Sequence, residues 1–135
     1  MTLNLPSDIH VKAVTYGTPR VGNAAWAPYF DSKVRPTGPL VAFNALTKYL
    51  QVADFVRINN EKDIIPIVPG RSLGFAHPHG EIHIISPGEA VSCSPDDDAT
   101  DADCTISTVP DVFDGNILNH LGPYEGVFIG TLFCN

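Results

Sequence analysis

The sequence predicts an α/β fold built on a mostly parallel sheet, and three observations predict it. Short runs rich in β-branched residues recur near residues 11–16, 55–59 and 82–85; apolar residues at helical spacing fall between the first two; and proline and glycine clusters separate the pieces. Strands alternating with helical crossovers make a parallel sheet, which buries both faces. Three strands are therefore expected to be part of a larger sheet.

Each element follows from local chemistry. Val11-Lys12-Ala13-Val14-Thr15-Tyr16 alternates β-branched with other side chains and stops at Gly17, as a strand entering a turn does. Pro19 and Gly22 punctuate the loop that follows. Asn23 is placed to cap a helix over 24–30, with Trp26, Tyr29 and Phe30 at helical spacing and Pro28 near its tolerated first turn. Arg35-Pro36-Thr37-Gly38-Pro39 breaks the chain, after which Phe43, Leu46, Thr47 and Leu50 share one face of a second short helix over 40–50. Phe55-Val56-Arg57-Ile58-Asn59 is the next strand. Pro66, Pro69 and Gly70 exclude regular structure up to Glu81, where residues 82–85 alternate as another strand. Loop is expected from there to about Val112, then a short helix over 115–121, and Gly126 and Gly130 mark an irregular end.

At 135 residues, 44% of them hydrophobic and 17% charged, the chain has the size and mix of one globular domain. No apolar run approaches the roughly 18–20 residues needed to span a bilayer. Fifteen acidic against eight basic side chains give a net charge of −7, which repels nucleic acid and anionic membrane surfaces. Nucleic-acid partners are excluded on that ground. The opening Met1-Thr2-Leu3-Asn4-Leu5-Pro6 lacks the basic start, apolar core and small-residue cleavage site of a signal peptide.

The cysteines number three. Cys93 and Cys104 bracket a polar, acidic loop, and a disulfide there would contribute roughly 3 kcal/mol in the chain-entropy model. Cys134 is then left over, which in an oxidising compartment points to a partner elsewhere. Three reduced cysteines are the alternative.

Three constellations could carry chemistry. Gly70-Arg71-Ser72-Leu73-Gly74 matches the G-x-S-x-G nucleophile elbow, but an elbow needs a strand before it and a helix after it. Pro66 and Pro69 oppose the first and Pro78 and Gly80 the second, so the match is read as accidental. His77-Pro78-His79-Gly80-Glu81-Ile82-His83 gathers ligand types that zinc takes and resembles the H-x-H-x-D-H run of metallo-β-lactamase-type hydrolases, with glutamate for aspartate and the last histidine shifted by one. Its plainer reading is local hydrogen bonding by His77, His79 and His83 around a strand start. Asp63 follows a strand end, where active sites of open α/β sheets collect, and His120 sits in Asn119-His120-Leu121 among apolar neighbours. An aspartate behind a histidine fixes its tautomer and stabilises the imidazolium formed when it takes a proton from a nucleophile.

Thr15-Tyr16-Gly17-Thr18-Pro19-Arg20-Val21-Gly22-Asn23, Arg57-Ile58-Asn59-Asn60-Glu61-Lys62-Asp63-Ile64-Ile65-Pro66, Gly74-Phe75-Ala76-His77 and Asn119-His120-Leu121 together resemble the C-terminal half of a fungal class 3 lipase. That family includes filamentous-fungal triacylglycerol lipases and feruloyl esterases, and the resemblance runs from about Val11 to Cys134. It implies a partial α/β-hydrolase fold with a triad in the chain order Ser, Asp, His. Asp63 matches the triad aspartate, His120 the triad histidine, and His77 a structural histidine. Residues 16–23 match a strand and turn that support the site. Cys93 with Cys104 resembles a short disulfide loop, and Cys134 a cysteine paired near the family's N-terminus.

The departures are equally specific. The family's nucleophile elbow, oxyanion-hole loop and lid lie upstream of the strand that ends at Tyr16. Residues 1–135 are therefore expected to be the C-terminal portion of a single domain whose nucleophile-bearing half is missing, with residues 40–50 as an insertion. The resemblance implies a secreted parent that hydrolyses carboxylic esters, most plainly triacylglycerols, with a feruloyl or other carboxylesterase as the alternative. Its partners would be a lipid or ester substrate, transiently a lipid interface, and the missing half of the domain. It implies no metal or organic cofactor, and an isolated chain that is inactive or serves as a noncatalytic fragment.

Overall fold

The strand signals converge on one sheet. In the computed structural model, which describes residues 12–34, 55–93 and 101–129, four strands line up in the order β1-β3-β5-β6. β1 (Ala13–Tyr16), β3 (Phe55–Asn60) and β5 (Glu81–Ser86) run parallel, with Val14 opposite Val56 and Asn59 opposite His83. β6 (Glu89–Ser92) returns antiparallel to β5. Sequence reading missed this strand: four residues on a sheet edge, mostly exposed, carry little periodic signal. The Pro87-Gly88 dipeptide was its one marker, and Gly88 takes φ +81°, a turn conformation open to glycine.

A small ribbon stands apart, β2 (Gly22–Asn23) against β4 (Phe75–Ala76). Asn23 ends β2 and caps α1 (Trp26–Val34), its side-chain oxygen accepting from the backbone N–H groups of Ala25 and Trp26 at 3.1 and 2.8 Å. Along α1, Trp26 stacks on Phe30, and Phe30 meets Phe55 of β3 edge-on, so the helix is held to the sheet by aromatic contacts. The region expected to lack regular structure contains β4 and two 3₁₀ turns, Ile65–Ile67 and Arg71–Leu73. One further turn of helix, α2 (Thr105–Thr108), lies in the expected loop. The helix expected at 115–121 forms as a 3₁₀ turn, Ile117–His120. The helix expected at 40–50 and Cys134 lie outside the described residues.

The two faces of the central strands differ in chemistry. One is mostly apolar, with Ile58 opposite Ile82 and with Ile84 buried, and carries Asn60 at its carboxyl end. The other is polar and buried: Arg57 and Asn59 on β3 stand opposite Glu81 and His83 on β5. The covering segment supplies their partners. Asn59 donates to the Thr105 hydroxyl at 2.9 Å, and Glu81 accepts from the Thr105 N–H at 2.9 Å. Arg57 donates from Nε to the Pro78 carbonyl at 2.9 Å and lies 3.6 Å from the Glu81 carboxylate. The Cys93–Cys104 disulfide forms, with Cα atoms 5.8 Å apart, and fixes this cover to the end of β6. Buried polar groups require such partners, since an unmet one costs on the order of 1–3 kcal/mol.

Candidate active site

Asp63 and His120 meet at the carboxyl edge of the sheet. Past the end of β3 the chain turns through Glu61 and Lys62 and drops Asp63 into a fully buried position. Its Oδ1 accepts from the Ile65 N–H at 2.8 Å. His120 closes the 3₁₀ turn Ile117–His120, which Asn116 caps by accepting from the Leu118 N–H at 2.9 Å. From there its Nδ1–H donates to Asp63 Oδ2 at 2.9 Å, while the ring remains about a third exposed. Two residues 57 positions apart are thus brought into the arrangement that orients an imidazole and leaves Nε2 for proton transfer.

Burial raises the Asp63 pKa, and the Ile65 N–H, His120 and the Tyr124 hydroxyl each pull it back down. Tyr124 is buried with its hydroxyl 3.4 Å from Asp63 Oδ2, and its ring packs edge-on against Tyr16 with centroids 5.3 Å apart. Burial and the neighbouring Asp63 carboxylate push the Tyr124 phenol well above its usual range, so it serves as a neutral donor. Gly17, at the end of β1, has φ +54°, and a Cβ there would lie 2.5 Å from Asp63 Oδ2 and against the His120 ring. The backbone passes under the pair because glycine has no side chain. Sequence reading did not single out Tyr124, which follows no local pattern; Gly17 lay within a recognised string and at a strand end, the signal that could have marked it.

The other constellations separate. Ser72 lies on the exposed 3₁₀ turn Arg71–Leu73, preceded by another such turn and followed by the two-residue β4, so no strand-to-helix elbow forms. His77 donates from Nε2 to the Pro66 carbonyl at 2.7 Å. The His79 ring faces Asp31 of α1 at 2.5 Å. His83 bridges the carbonyls of Asp103 and Glu61. The three imidazoles therefore do not converge on a zinc site. Among the described residues, the one trio of possible ligands close together is Glu81, Cys93 and Cys104, and both cysteines are in the disulfide. No helix among the described residues is long and apolar enough to cross a membrane.

Residues 2–73 match the model of the family described as Lipase (class 3), a stretch that includes Asp63 and ends before His120. The chain is 33% identical over 111 residues to a lipase of Rhizopus niveus, covering 82% of this chain and 23% of that protein. Among solved structures, lipase II from Rhizopus niveus superposes with a TM-score of 0.63 at 32% identity, over 87% of this chain and 36% of that one. A triacylglycerol lipase structure described as having a catalytic centre formed by a serine protease triad gives 0.60 at 31% identity, over 85% and 36%. The chain thus spans about a quarter of the length of the curated relative and about a third of the solved ones. A family match over more than half of its residues, joined to a mostly parallel sheet shared with those lipases, makes the chain a member of the class 3 lipase family and part of an α/β-hydrolase fold.

Proposed function

We propose that the protein serves carboxylic ester hydrolysis, with triacylglycerols as the substrate class, through a Ser-His-Asp triad to which this chain contributes Asp63 and His120. The observation that carries this reading is the 2.9 Å hydrogen bond between them at the carboxyl edge of a parallel sheet. In this mechanism a serine hydroxyl attacks the ester carbonyl, and His120 Nε2 accepts its proton and returns it to the leaving alcohol. Asp63 holds the ring through Nδ1 and stabilises the imidazolium. The serine and the oxyanion donors belong, in this reading, to a part of the domain outside these residues. The triacylglycerol lipase among the structural neighbours, with a catalytic centre formed by a serine protease triad, supports both the substrate class and the triad. The Cys93–Cys104 disulfide supports secretion, because such bonds persist in oxidising compartments.

The test is to express the chain with the coding sequence its own transcript carries upstream of Met1, and to follow hydrolysis of a tributyrin emulsion. Asp63→Asn is expected to lower kcat by about 10⁴-fold, the scale of losing a triad's orienting carboxylate, and His120→Ala by about 10⁶-fold, the scale of losing its base. The 135 residues alone are expected to show no turnover, since acid–base chemistry without a nucleophile contributes only about 10²–10⁴-fold. Unchanged kcat in either variant refutes the assignment. Preferential cleavage of feruloyl esters would move the substrate class to aromatic esters.

A further inference from the structure

Glu61 adopts φ +43°, a left-handed backbone that glycine or asparagine takes far more readily than glutamate. Local strain of this kind persists where the surroundings impose it, and here they do. The Glu61 N–H donates to the Ile84 carbonyl at 2.7 Å, and its own carbonyl accepts from His83 Nε2 at 2.7 Å. The side chain meanwhile reaches across to the histidine-bearing turn, where its carboxylate accepts from the Asn119 side-chain amide at 2.5 Å. The flanking residues reach the same turn. Asn60 donates from its amide to the Asn119 carbonyl at 2.9 Å, and the Lys62 carbonyl accepts from the Asn116 N–H at 2.7 Å.

Consecutive residues 60, 61, 62 and 63 thus each bond to the segment 116–120, the last of them to His120 itself. Asn119 is gripped at both its main chain and its side chain, one residue before the imidazole. We propose that Glu61 is a positioning residue: its carboxylate, through Asn119, sets where the His120 ring meets Asp63, and the strained backbone is kept because only a side chain of that reach makes the contact. This rests on the Asp63–His120 pair proposed above, and it assigns to Glu61 no contact with substrate.

Positioning and stability are separable at this residue. If Glu61 were merely a turn residue, Glu61→Gly would relieve the left-handed strain and change nothing at the site. The measurement is the downfield Nδ1–H proton resonance of His120 in the full 135-residue chain with its disulfide formed, together with the urea midpoint. Asp63→Asn identifies the resonance by abolishing it. In Glu61→Gly we expect the midpoint to hold or rise while the Nδ1–H exchanges with water about tenfold faster, as loss of a hydrogen bond to a charged group implies. Glu61→Gln, which keeps an acceptor for the Asn119 amide, should restore slow exchange. Wild-type exchange in Glu61→Gly, or no rescue by Glu61→Gln, overturns the proposal while leaving the Asp63–His120 pair intact. A wild-type chain with no resonance sensitive to Asp63→Asn removes the pair, and the proposal falls with it.

Discussion

His77 ties the stability of this fold to acidity. Its side chain is 3% exposed, and burial, reinforced by the guanidinium groups of Arg57 and Arg20, lowers its pKa from 6.5 to about 3, while the bond to the Pro66 carbonyl pulls the other way. The unfolded chain lets the ring titrate near 6.5, so between about pH 6.5 and pH 3 the unfolded state holds a proton that the native state does not. Stability from this residue is therefore fully present above pH 6.5 and is lost as pH falls toward 3. At 1.36 kcal/mol per pH unit for one proton, going from pH 6.5 to 4 removes about 3 kcal/mol. The assay is equilibrium urea unfolding at half-unit pH steps, on the chain and on His77→Gln, whose amide donates to the Pro66 carbonyl without titrating. Asp63 acts with the opposite sign, since an acid whose pKa is raised by burial gains stability as it protonates, but it is common to both chains and cancels in their difference. Parallel stability curves for the two chains between pH 6.5 and 4 would refute the reasoning.

Gly17→Ala should destabilise by about 2–4 kcal/mol, combining a left-handed alanine with displacement of the Asp63–His120 contact, and should disturb the His120 Nδ1–H resonance; urea unfolding and proton spectra check both. Tyr124→Phe removes a donor 3.4 Å from Asp63, so the Asp63 pKa should rise further and stability fall by roughly 0.5–1.5 kcal/mol, read from carboxyl chemical shifts against pH and from urea midpoints. Replacing both Cys93 and Cys104 by serine should cost about 3 kcal/mol by the chain-entropy argument, with faster amide exchange at Thr105 as its bond to Glu81 loosens.

The parallel strands were legible because β-branched residues cluster between unmistakable turn residues, and Asn23 was legible as a cap because its chemistry is local. α2 was not, for a converse reason. Cys104-Thr105-Ile106-Ser107-Thr108 has no strong helix former, and its turn is anchored by a disulfide and by Glu81 and Asn59, partners far away in sequence. The site divides the same way. Asp63 and His120 were recognisable as individual residues, through their motifs, while Gly17, Tyr124 and Glu61 act through contacts that exist only after the chain has closed on itself.

The polar layer between sheet and cover has a consequence for alignment. A shift of β5 by one residue along β3 would swap its faces, sending Glu81 and His83 to the apolar side and leaving Arg57 and Asn59 buried opposite isoleucine. Stranding even one such charge costs several kcal/mol, a large fraction of what holds a domain this size together. An all-aliphatic interior would tolerate slippage far better. The ionic and amide pairs of this sheet therefore act as a key that admits a single alignment, and that alignment fixes where β3 ends and so where the Asp63 carboxylate stands.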